Sequence, residues 1–481
     1  MKRYNIILSL IAVLVLFASC EDFLTQEPRL MQTTELTLST YDGMMNAAVA
    51  AYSPMYYSTW YARDFLVTAD LKGGNSKISP ITSGRFVQTY LWAEESYGLW
   101  TAAYDAIARA NNIITALDGF EEPGVEETDL LAVEAEAKFI RAISYFDLAR
   151  IFCPAYNDNA NAAYGLPVVL VTELGEPARN TVPETYAQIV EDLEFAAANL
   201  PAATIHEAGA DLKGFATQNA AIALLARVNL YMENWQEAAD LASEIITSMG
   251  GADGLYDAEK YTVWNDPNVD GGGVWGTDAA KEIIFEIFGS EGNSAHPNWD
   301  QITYIMSPNG YGDIGASKDV MDLYEPDDVR LGLFTNTADF PNDYWSLKYP
   351  GKGGNLRIDD IPVLRLAEMF LIRAEAALEG ASTGSSATAD LNAIRSHRNA
   401  SDLTNVTLQD VYQERRRELC YEGHELFDLK RTNRGLVRND YDGTINKDVP
   451  YPDHRWNAMI PKAELDANPN MVQNPGYSSA N

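Results

Sequence analysis

The sequence predicts a mostly α-helical protein, in which tetratricopeptide-like helix pairs form a scaffold around an irregular, loop-rich subdomain with little β structure. Two observations lead to this fold class. Apolar residues recur at helical spacing over residues 40–234 and again over residues 363–420. Between these segments, over residues 250–360, Gly, Asn, Asp and Pro are dense and glycine runs interrupt any periodicity. A chain of 481 residues can form one large composite domain or roughly two to three ordinary ones.

The first twenty residues have the layout of a secretory signal peptide. A basic pair precedes an apolar run over residues 6–17, which is too short to span a membrane as a mature helix. The run ends in the sequence FASC, which resembles a bacterial lipobox apart from Phe where Leu is usual, and the acidic pair after Cys20 resembles a surface-export signal of Bacteroidetes lipoproteins. We therefore expect a lipid on Cys20 to be the membrane anchor. An ordinary signal peptide that ends near a cysteine is the alternative.

Helix pairs are predicted along both periodic segments. The clearest spans residues 217–249, where small and large apolar residues follow the spacing of a tetratricopeptide unit, although Asn229 stands where a large aromatic residue is preferred. Further pairs are predicted for residues 41–57 with 99–117, 130–152 with 183–200, and 363–378 with 388–398. A final helix over residues 408–420 begins at a capping box formed by Thr407 and Asp410.

The irregular segment is the most unusual part of the chain. Only residues 282–288 have the pattern of a strand, and loops of this length are uncommon in compact domains unless they are functional. The segment holds many large aromatic residues, among them Trp264, Trp275, Trp299, Tyr304, Tyr311, Tyr344, Trp345 and Tyr349. We predict four regions: a signal peptide (residues 1–19), an N-terminal helical region (20–250), the irregular binding subdomain (251–361) and a C-terminal helical region (362–481).

The charge excludes some partners and allows others. There are 35 Lys and Arg residues against 69 Asp and Glu residues, which gives a formal net charge of -34. A field of that sign repels nucleic acid and anionic lipid surfaces, and it is compatible with a neutral or cationic ligand. Hydrophobic residues make up 46% and charged residues 22%, the composition of a folded globular protein.

The sequence contains no common catalytic or metal-binding motif. The five histidines are each isolated from another His or Cys at ligand spacing, and neither a G-x-S-x-G elbow nor a P-loop is present. Glu414, Glu418 and Glu422 have helical spacing next to three arginines, which predicts a structural salt-bridge ladder. No cofactor is therefore expected. Residues 157–159, Asn-Asp-Asn, could ligate a structural calcium ion, although a solvated turn is the simpler interpretation.

Two cysteines remain if Cys20 carries the lipid. In an exported protein, Cys153 and Cys420 could form a disulfide. Cys420 lies in a strongly helical stretch, however, and two buried free thiols that pack as small apolar side chains explain the sequence equally well. Both interpretations stay open from the sequence.

Aromatic residues mixed with polar ones indicate a ligand site in two parts of the chain. The apolar face of a sugar ring stacks on Trp or Tyr, while Asn, Asp, Arg and Gln bond its hydroxyl groups, so a glycan site needs both types close together. One such region spans residues 60–92, and the other lies around residues 298–304. The candidate ligand-binding residues are Trp60, Asp70, Asn75, Arg85, Tyr90, Trp92, Trp299 and Tyr304. Core packing is the competing interpretation for each aromatic residue.

Several motifs resemble one known family from end to end of the chain. The C-terminal motifs are residues 361–368 (IPVLRLAE), 371–376 (LIRAEA), 391–395 (LNAIR) and the run over residues 414–431. They resemble the helices of the SusD/RagB family of nutrient-binding lipoproteins. Near the start, residues 100–111 fit the family's W-Y-I-x-x-A-N helix, and residues 20–24 (CEDFL) are similar to its opening after the lipobox.

The resemblance implies a protein held by its lipid on the outer face of the outer membrane, where it captures oligosaccharide for a SusC-like TonB-dependent transporter. Members of the family bind oligosaccharides in most cases and peptides in some, they have no catalytic activity, and their tetratricopeptide face contacts the transporter. Peptide capture by the same architecture is therefore the first alternative. A glycoside hydrolase is the second, and it would need two carboxylates about 5 to 10 Å apart in the aromatic cleft.

Overall fold

The computed structural model describes residues 33–206, 213–256, 281–293, 296–352, 354–441 and 443–478. The signal segment with Cys20 lies outside these residues, as do Trp264 and Trp275 of the irregular segment. Helices predominate in the described residues and the strands are short, so the predicted mostly α-helical class is confirmed. No described helix is both long enough and apolar enough to cross a membrane.

The described helices and strands are numbered separately in chain order. The helices are α1 (Thr34–Thr37), α2 (Tyr41–Ala51), α3 (Asp64–Gly73), α4 (Val87–Tyr90), α5 (Leu99–Leu117), α6 (Glu127–Phe152), α7 (Val182–Asn199), α8 (Gln218–Tyr231), α9 (Trp235–Ser248), α10 (Ile302–Met306), α11 (Lys318–Met321), α12 (Leu366–Leu378), α13 (Ala387–Ser396), α14 (Leu408–Leu419), α15 (Glu425–Arg431) and α16 (Lys462–Ala467). The strands are β1 (Ser76–Ile78), β2 (Ile283–Ile287), β3 (Ile314–Ala316), β4 (Phe334–Thr335), β5 (Trp345–Ser346), β6 (Ile361–Arg365), β7 (Leu436–Val437) and β8 (Asp448–Val449). They form antiparallel pairs: β1 with β3, β2 with β6, β4 with β5, and β7 with β8.

The helices stack pairwise, as the periodicity predicts. Helix α2 packs against α5, α6 against α7, α8 against α9, and α12 against α13, which are the pairs expected from the sequence. Helix α6 contacts both α5 and α7 and is buried along most of its length, because it lies between two neighbours. Thr407 and Asp410 form the predicted capping box at the start of α14.

Asn229 closes the tight turn between α8 and α9. Its side-chain amide donates a hydrogen bond to the carbonyl oxygen of Leu225 (2.9 Å), and its side-chain oxygen accepts one from the amide of Asn234 (3.0 Å). Asn229 is buried, and its bond to Leu225 is shielded from water, whereas the bond from Asn234 is partly buried. An amide that both donates and accepts a hydrogen bond thus takes the place of the large aromatic residue that a tetratricopeptide unit prefers here.

Two strand pairs join the irregular segment to the helical scaffold. The strand predicted at residues 282–288 is observed as β2, which pairs with β6 directly before α12. Strand β1 follows α3 and pairs with β3 so that Lys77 lies opposite Gly315. Gly315 permits the residue just before β5 to approach closely, since a Cβ on Gly315 would lie 2.8 Å from the backbone oxygen of Tyr344. The β1–β3 pair places the loop after β1 beside the loop before β3.

Glu414, Glu418 and Glu422 belong to a buried ionic cluster, so the ladder geometry predicted from their spacing is wrong. Helix α14 ends at Leu419, and Glu422 therefore lies beyond it, off the helical stripe. The three carboxylates pair mainly with cations from segments distant in sequence, namely Arg330, Arg365, Arg395, Arg398 and Lys348. The structural role is confirmed, but spacing along one helix could not reveal partners that only the tertiary fold brings close.

Acid is expected to destabilise the fold through Glu414 and Asp428. Burial opposes the ionisation of both carboxyls, but neighbouring arginines outweigh it and hold each pKa at about 2. The unfolded chain binds these protons at the ordinary values of 4.5 and 3.8. Their contribution to stability is therefore complete above about pH 4.5 and is lost as the pH falls towards 2. Thermal unfolding followed by circular dichroism should show a falling midpoint in this window, and a constant midpoint would contradict the assignment.

Cys153 and Cys420 are buried free thiols, which settles the choice that the sequence left open. Burial raises the pKa of both, that of Cys153 to about 11. In the soluble form that starts after Cys20, we expect Ellman's reagent to label neither thiol while the protein is folded and to label both after denaturation. Rapid labelling of either thiol under native conditions would contradict their burial.

Candidate functional site

Two loops from distant parts of the chain meet next to the β1–β3 pair. The first, residues 79–86, follows β1, and the second, residues 296–313, contains the short helix α10 and precedes β3. Oδ1 of Asp313 accepts hydrogen bonds from the backbone N–H of Ser83 (2.6 Å) and from its hydroxyl (2.7 Å). The backbone N–H of Ser79 donates to the carbonyl oxygen of Asp313 (3.0 Å). These bonds fix the two loops to each other.

Trp299, Tyr304 and Tyr311 form a continuous aromatic surface on the second loop, called the aromatic platform below. The ring centroids of Trp299 and Tyr304 lie 4.9 Å apart at an interplanar angle of 54°, and those of Tyr304 and Tyr311 lie 4.6 Å apart at 87°. Trp299 is 48% exposed and Tyr311 is 37% exposed. The surface is therefore stepped, and it presents apolar ring area to solvent, where a ligand can stack.

The turn after α10 sets the spacing of the platform rings. The backbone N–H of Tyr311 donates to the carbonyl oxygen of Tyr304 (2.9 Å). Gly310 makes this close return possible, because a Cβ there would lie 2.3 Å from the same oxygen. The buried indole of Trp345 donates from Nε1 to the carbonyl oxygen of Gly312 (3.1 Å) and supports the turn from within the core. The platform is thus formed by the fold itself.

Arg85 connects the first loop to the platform. Its guanidinium carbon lies 4.2 Å from the ring centroid of Tyr311, within the range of a cation–π contact. Its Nη1 lies 3.5 Å from a carboxylate oxygen of Asp300 and 3.6 Å from one of Asp313. Asp300 also pairs with Arg63, whose Nη1 is 2.8 Å from Oδ1. Charged groups therefore border the rings, where they can bond the hydroxyl groups of a sugar.

Arg357 and Asn298 flank Trp299. The guanidinium carbon of Arg357 lies 5.0 Å from the Trp299 ring centroid, and its Nη2 donates to Oδ1 of Asn298 (3.2 Å). Two residues after Trp299, Gln301 is buried and accepts a hydrogen bond from the hydroxyl of Tyr56 (2.8 Å). Polar groups on the surface thus adjoin Trp299, while a buried bond holds its loop to the scaffold.

The structure brings three of the residues selected from the sequence together: Arg85, Trp299 and Tyr304. Tyr311 completes the platform, and Asp300 borders it, although neither was selected as a candidate. The aromatic content of the irregular segment was a signal for Tyr311, which belongs to the set noted there. The position of Asp300 depends on how the two loops meet, and no pattern in the sequence marks that contact.

Trp60 and Trp92 are buried in the core, apart from the platform. Neither side chain is exposed; Nε1 of Trp60 donates to Oδ2 of Asp147 (2.7 Å), and the ring of Trp92 packs edge-on against Trp456 at a centroid distance of 4.6 Å. A ring without exposed surface cannot stack on a sugar, so core packing, the competing interpretation, describes both. Spacing in the sequence cannot separate a buried aromatic residue from an exposed one.

Asp70, Asn75 and Tyr90 are also buried. The amide of Asn75 donates to Oδ1 of Asp70 (2.9 Å), which also accepts a bond from the backbone N–H of Tyr421 (3.0 Å). Burial raises the pKa of Asp70 to about 7. The Tyr90 ring lies against Arg438, whose guanidinium carbon is 4.7 Å from its centroid. These residues tie α3 and α4 to the C-terminal region, and they are left out of the site proposed below.

No metal centre is evident in the described residues, where no group of three or more His, Cys, Asp and Glu is placed to hold an ion. At the calcium candidate, residues 157–159, the amide of Asn157 donates to Oε1 of Glu233 (2.7 Å) and to the carbonyl oxygen of Arg431 (3.0 Å). The Asp158 side chain accepts from the backbone N–H of Asn161 (3.3 Å) and caps the short 3-10 turn there. The stretch is thus a hydrogen-bonded turn.

Comparison with known proteins finds relatives over nearly the whole chain. Residues 345–477 match the SusD family, and residues 22–230 match a family described as starch-binding and associating with the outer membrane. A SusD-like protein of Formosa agariphila is 26% identical over an alignment 557 positions long, which covers 99% of this chain and 100% of that protein. The starch-binding protein SusD of Bacteroides thetaiotaomicron is 36% identical over 124 residues, which cover 24% of this chain and 22% of that protein.

Solved structures share the fold. A SusD superfamily protein from Bacteroides vulgatus superposes with a TM-score of 0.79 at 28% sequence identity, covering 91% of this chain and 99% of its own. Another, from Bacteroides thetaiotaomicron, also superposes with a TM-score of 0.79, at 27% identity, covering 91% of this chain and 100% of its own. The likeness in sequence and the likeness in structure thus point to the same family.

Proposed function

The chain belongs to the SusD/RagB family, and on that basis we propose that it is a cell-surface lipoprotein that captures oligosaccharide or polysaccharide for a SusC-like TonB-dependent transporter. The family description of the N-terminal match and the name of the Bacteroides thetaiotaomicron relative both refer to starch binding, which supports carbohydrate as the ligand class. The observation that supports it for this chain is the aromatic platform.

The platform has both features that carbohydrate recognition needs. The exposed rings of Trp299 and Tyr311 offer apolar surface for the CH face of a sugar. Asp300, Asn298 and Arg85 offer acceptors and donors for hydroxyl groups at the border of the same rings. Because the fold holds these groups in place, little conformational entropy is lost when a ligand binds.

We infer that the platform binds its ligand without cleaving it. A glycosidase needs a protonated carboxylic acid on one side of the scissile bond and a second carboxylate across from it. Asp300 and Asp313 flank the platform, and both contact the same nitrogen of Arg85. Arg63 also pairs with Asp300, and Ser83 donates two hydrogen bonds to Asp313. Both carboxylates therefore belong to the contacts that hold the two loops together, which favours a structural and binding role over acid–base catalysis.

Delivery requires a tether and a docking face. The lipid on Cys20, which lies outside the described residues, would hold the protein at the outer membrane with its ligand site towards the exterior. The tetratricopeptide-like helices α5 to α9 would supply the face that meets the transporter. Capture on the platform and hand-over through that contact then form one uptake step.

The proposal is tested by affinity electrophoresis of the soluble form that starts after Cys20. Gels containing single polysaccharides are compared with a gel containing none, and a peptide panel is titrated by calorimetry. We expect at least one polysaccharide to retard the protein. The same polysaccharide is then incubated with the protein and analysed for released sugars.

Each outcome of this screen bears on the proposal. Retardation without product release supports capture, and release of sugars would replace it with a glycoside hydrolase. Binding of peptides but of no glycan would keep the architecture and move the ligand class to peptides, for which the net charge of -34 favours basic sequences.

A further inference from the structure

A second concave surface lies away from the platform residues, between helix α2 and the end of strand β2. It is a pocket of about 420 Å³, here called the Val49–Phe288 pocket. Its walls include Asn46 and Val49 from α2, Ser53 after it, Phe215 before α8, and Phe288 and Asn293 after β2. No platform residue lines it, so a ligand there would occupy a separate site.

Two large apolar side chains are left exposed at this pocket. Val49 and Phe288 are each 42% exposed, although side chains of this kind are usually buried. The Nζ of Lys352 lies 3.8 Å from the Phe288 ring centroid and pairs with Asp360 at 2.5 Å, which holds the ring in place. An aromatic ring fixed at the mouth of a concave surface is a stacking position for a ligand.

The inner wall of the pocket is also fixed. The rings of Tyr52 and Phe215 meet edge-on at a centroid distance of 5.6 Å. The Tyr52 hydroxyl donates to Oε1 of Glu136 (2.8 Å) and accepts from the backbone N–H of Ala216 (2.9 Å). Both bonds are buried, so the wall keeps its shape without a ligand. The pocket is therefore preformed, as binding pockets for small molecules usually are.

The residues that line the pocket favour an uncharged ligand. The described residues that line the pocket include no Asp, Glu, Lys, Arg or His, in a chain that carries 69 acidic and 35 basic residues. Its polar side chains are neutral, and they include the amides of Asn46 and Asn293 and the hydroxyl of Ser53, which donates to Oδ1 of Asn293 (2.7 Å). Lys352, which lies against the Phe288 ring, is already paired with Asp360, so burying a charged ligand against this wall would cost desolvation without a free counter-charge among these residues. The suitable ligand is uncharged, with one apolar face and several hydroxyl groups.

A second cavity lies beside the pocket along α2. This cavity of about 370 Å³ shares Asn46 and Ala50 with the pocket and extends towards Thr34 and Asn112. Arg109 also lines this cavity. It forms an ion pair with Asp105, in which Nη2 of Arg109 lies 3.0 Å from Oδ2 of Asp105. Ligand sites typically measure roughly 300 to 1,000 Å³, so the two together can hold more than one sugar unit.

We propose that the Val49–Phe288 pocket is a second binding site for neutral oligosaccharide, independent of the aromatic platform. A sugar ring stacks on Phe288 against Val49, and the amides of Asn46 and Asn293 bond its hydroxyl groups. The inference rests on the proposed function, because it takes carbohydrate as the ligand class. Two sites on one chain would hold a long polysaccharide at two points and slow its release.

The test uses a variant that lacks the platform, Trp299→Ala with Tyr311→Ala. Isothermal titration calorimetry is performed with maltohexaose, cellohexaose, xylohexaose, laminarihexaose and mannohexaose as neutral probes, and with hexagalacturonic acid as the charged probe. We expect the platform-free variant to bind at least one neutral probe at about one equivalent per chain. Adding Val49→Arg, which places a charged side chain in the pocket, should raise the Kd about tenfold or more.

A matched control separates the pocket from general effects of an added arginine. Ala187 is exposed in the middle of helix α7, and Ala187→Arg in the platform-free variant should leave binding unchanged. Circular dichroism and the unfolding midpoint confirm that each variant is folded.

The outcomes distinguish this inference from the proposed function. A wild-type protein that binds a neutral probe, with a platform-free variant that binds none, would overturn the second site and leave the platform intact. The second site would also be overturned if Val49→Arg left binding by the platform-free variant unchanged. The same holds if that variant bound only hexagalacturonic acid. Failure of the wild type to bind any glycan would overturn the proposed function itself.

Discussion

Replacing Trp299 with alanine is expected to raise the Kd for the captured glycan about 30-fold, equivalent to roughly 2 kcal/mol of binding free energy. The side chain is half exposed and contributes the largest ring of the platform, so its removal takes away stacking surface without opening a core cavity. It also removes the ring against which Arg357 and Tyr304 are held. Calorimetry with the glycan found in the electrophoretic screen measures the effect.

Leu174→Ala is the control for this substitution. Leu174 is also a large exposed apolar side chain, but it lies in the loop before α7 and outside the platform. Its truncation should leave the Kd unchanged, and Trp299→Phe should retain part of the affinity because a smaller ring remains. If the wild-type protein binds the glycan and the Trp299→Ala variant binds it with the same Kd, the glycan binds outside the platform.

Replacing Glu418 with glutamine is expected to lower the free energy of unfolding by about 3 to 5 kcal/mol, the range for breaking a buried ion pair. The Glu418 oxygens lie 2.8 Å from Arg398, 2.9 Å from Arg330 and 3.1 Å from Arg365, and all four side chains are buried. Burial opposes the ionisation of Glu418, but these arginines outweigh it and hold its pKa well below the usual value. An amide would leave three buried guanidinium groups without their shared counter-charge.

Urea unfolding followed by circular dichroism measures this loss. Asp466→Asn is the matched control, because Asp466 pairs with Lys462 at 3.3 Å on the surface, where water and salt screen the interaction. We expect the control to unfold at nearly the same urea concentration as the wild type. Equal midpoints for the Glu418→Gln variant and the control would contradict a central role for the buried cluster.

The helical scaffold follows from the sequence because its periodicity is local. The spacing of apolar residues placed α8 and α9 correctly, and the capping box at Thr407 identified the start of α14. The sequence shows that Asn229 departs from the tetratricopeptide pattern. Its role in closing the turn through Asn234, however, depends on atoms that meet only in the folded chain. The same limit applies to Glu418, whose arginine partners come from three separate segments.

The candidate site was predicted in part. The mixture of aromatic and polar residues led to Arg85, Trp299 and Tyr304, and the structure brings these together through the β1–β3 pair. The same criterion also selected Trp60 and Trp92, which are fully buried. An indole serves a core and a sugar site for the same reason, its large apolar face, so composition alone cannot separate the two uses.

The most direct test of glycan capture is a crystal structure of the soluble protein with an oligosaccharide derived from the polysaccharide that retards it. We predict a sugar ring in van der Waals contact, at about 4 Å, with Trp299 or Tyr311. Its hydroxyl groups should lie within hydrogen-bond distance of Arg85, Asp300 or Asn298. An oligosaccharide bound elsewhere on the chain, with the aromatic platform left in solvent, would contradict capture at this site.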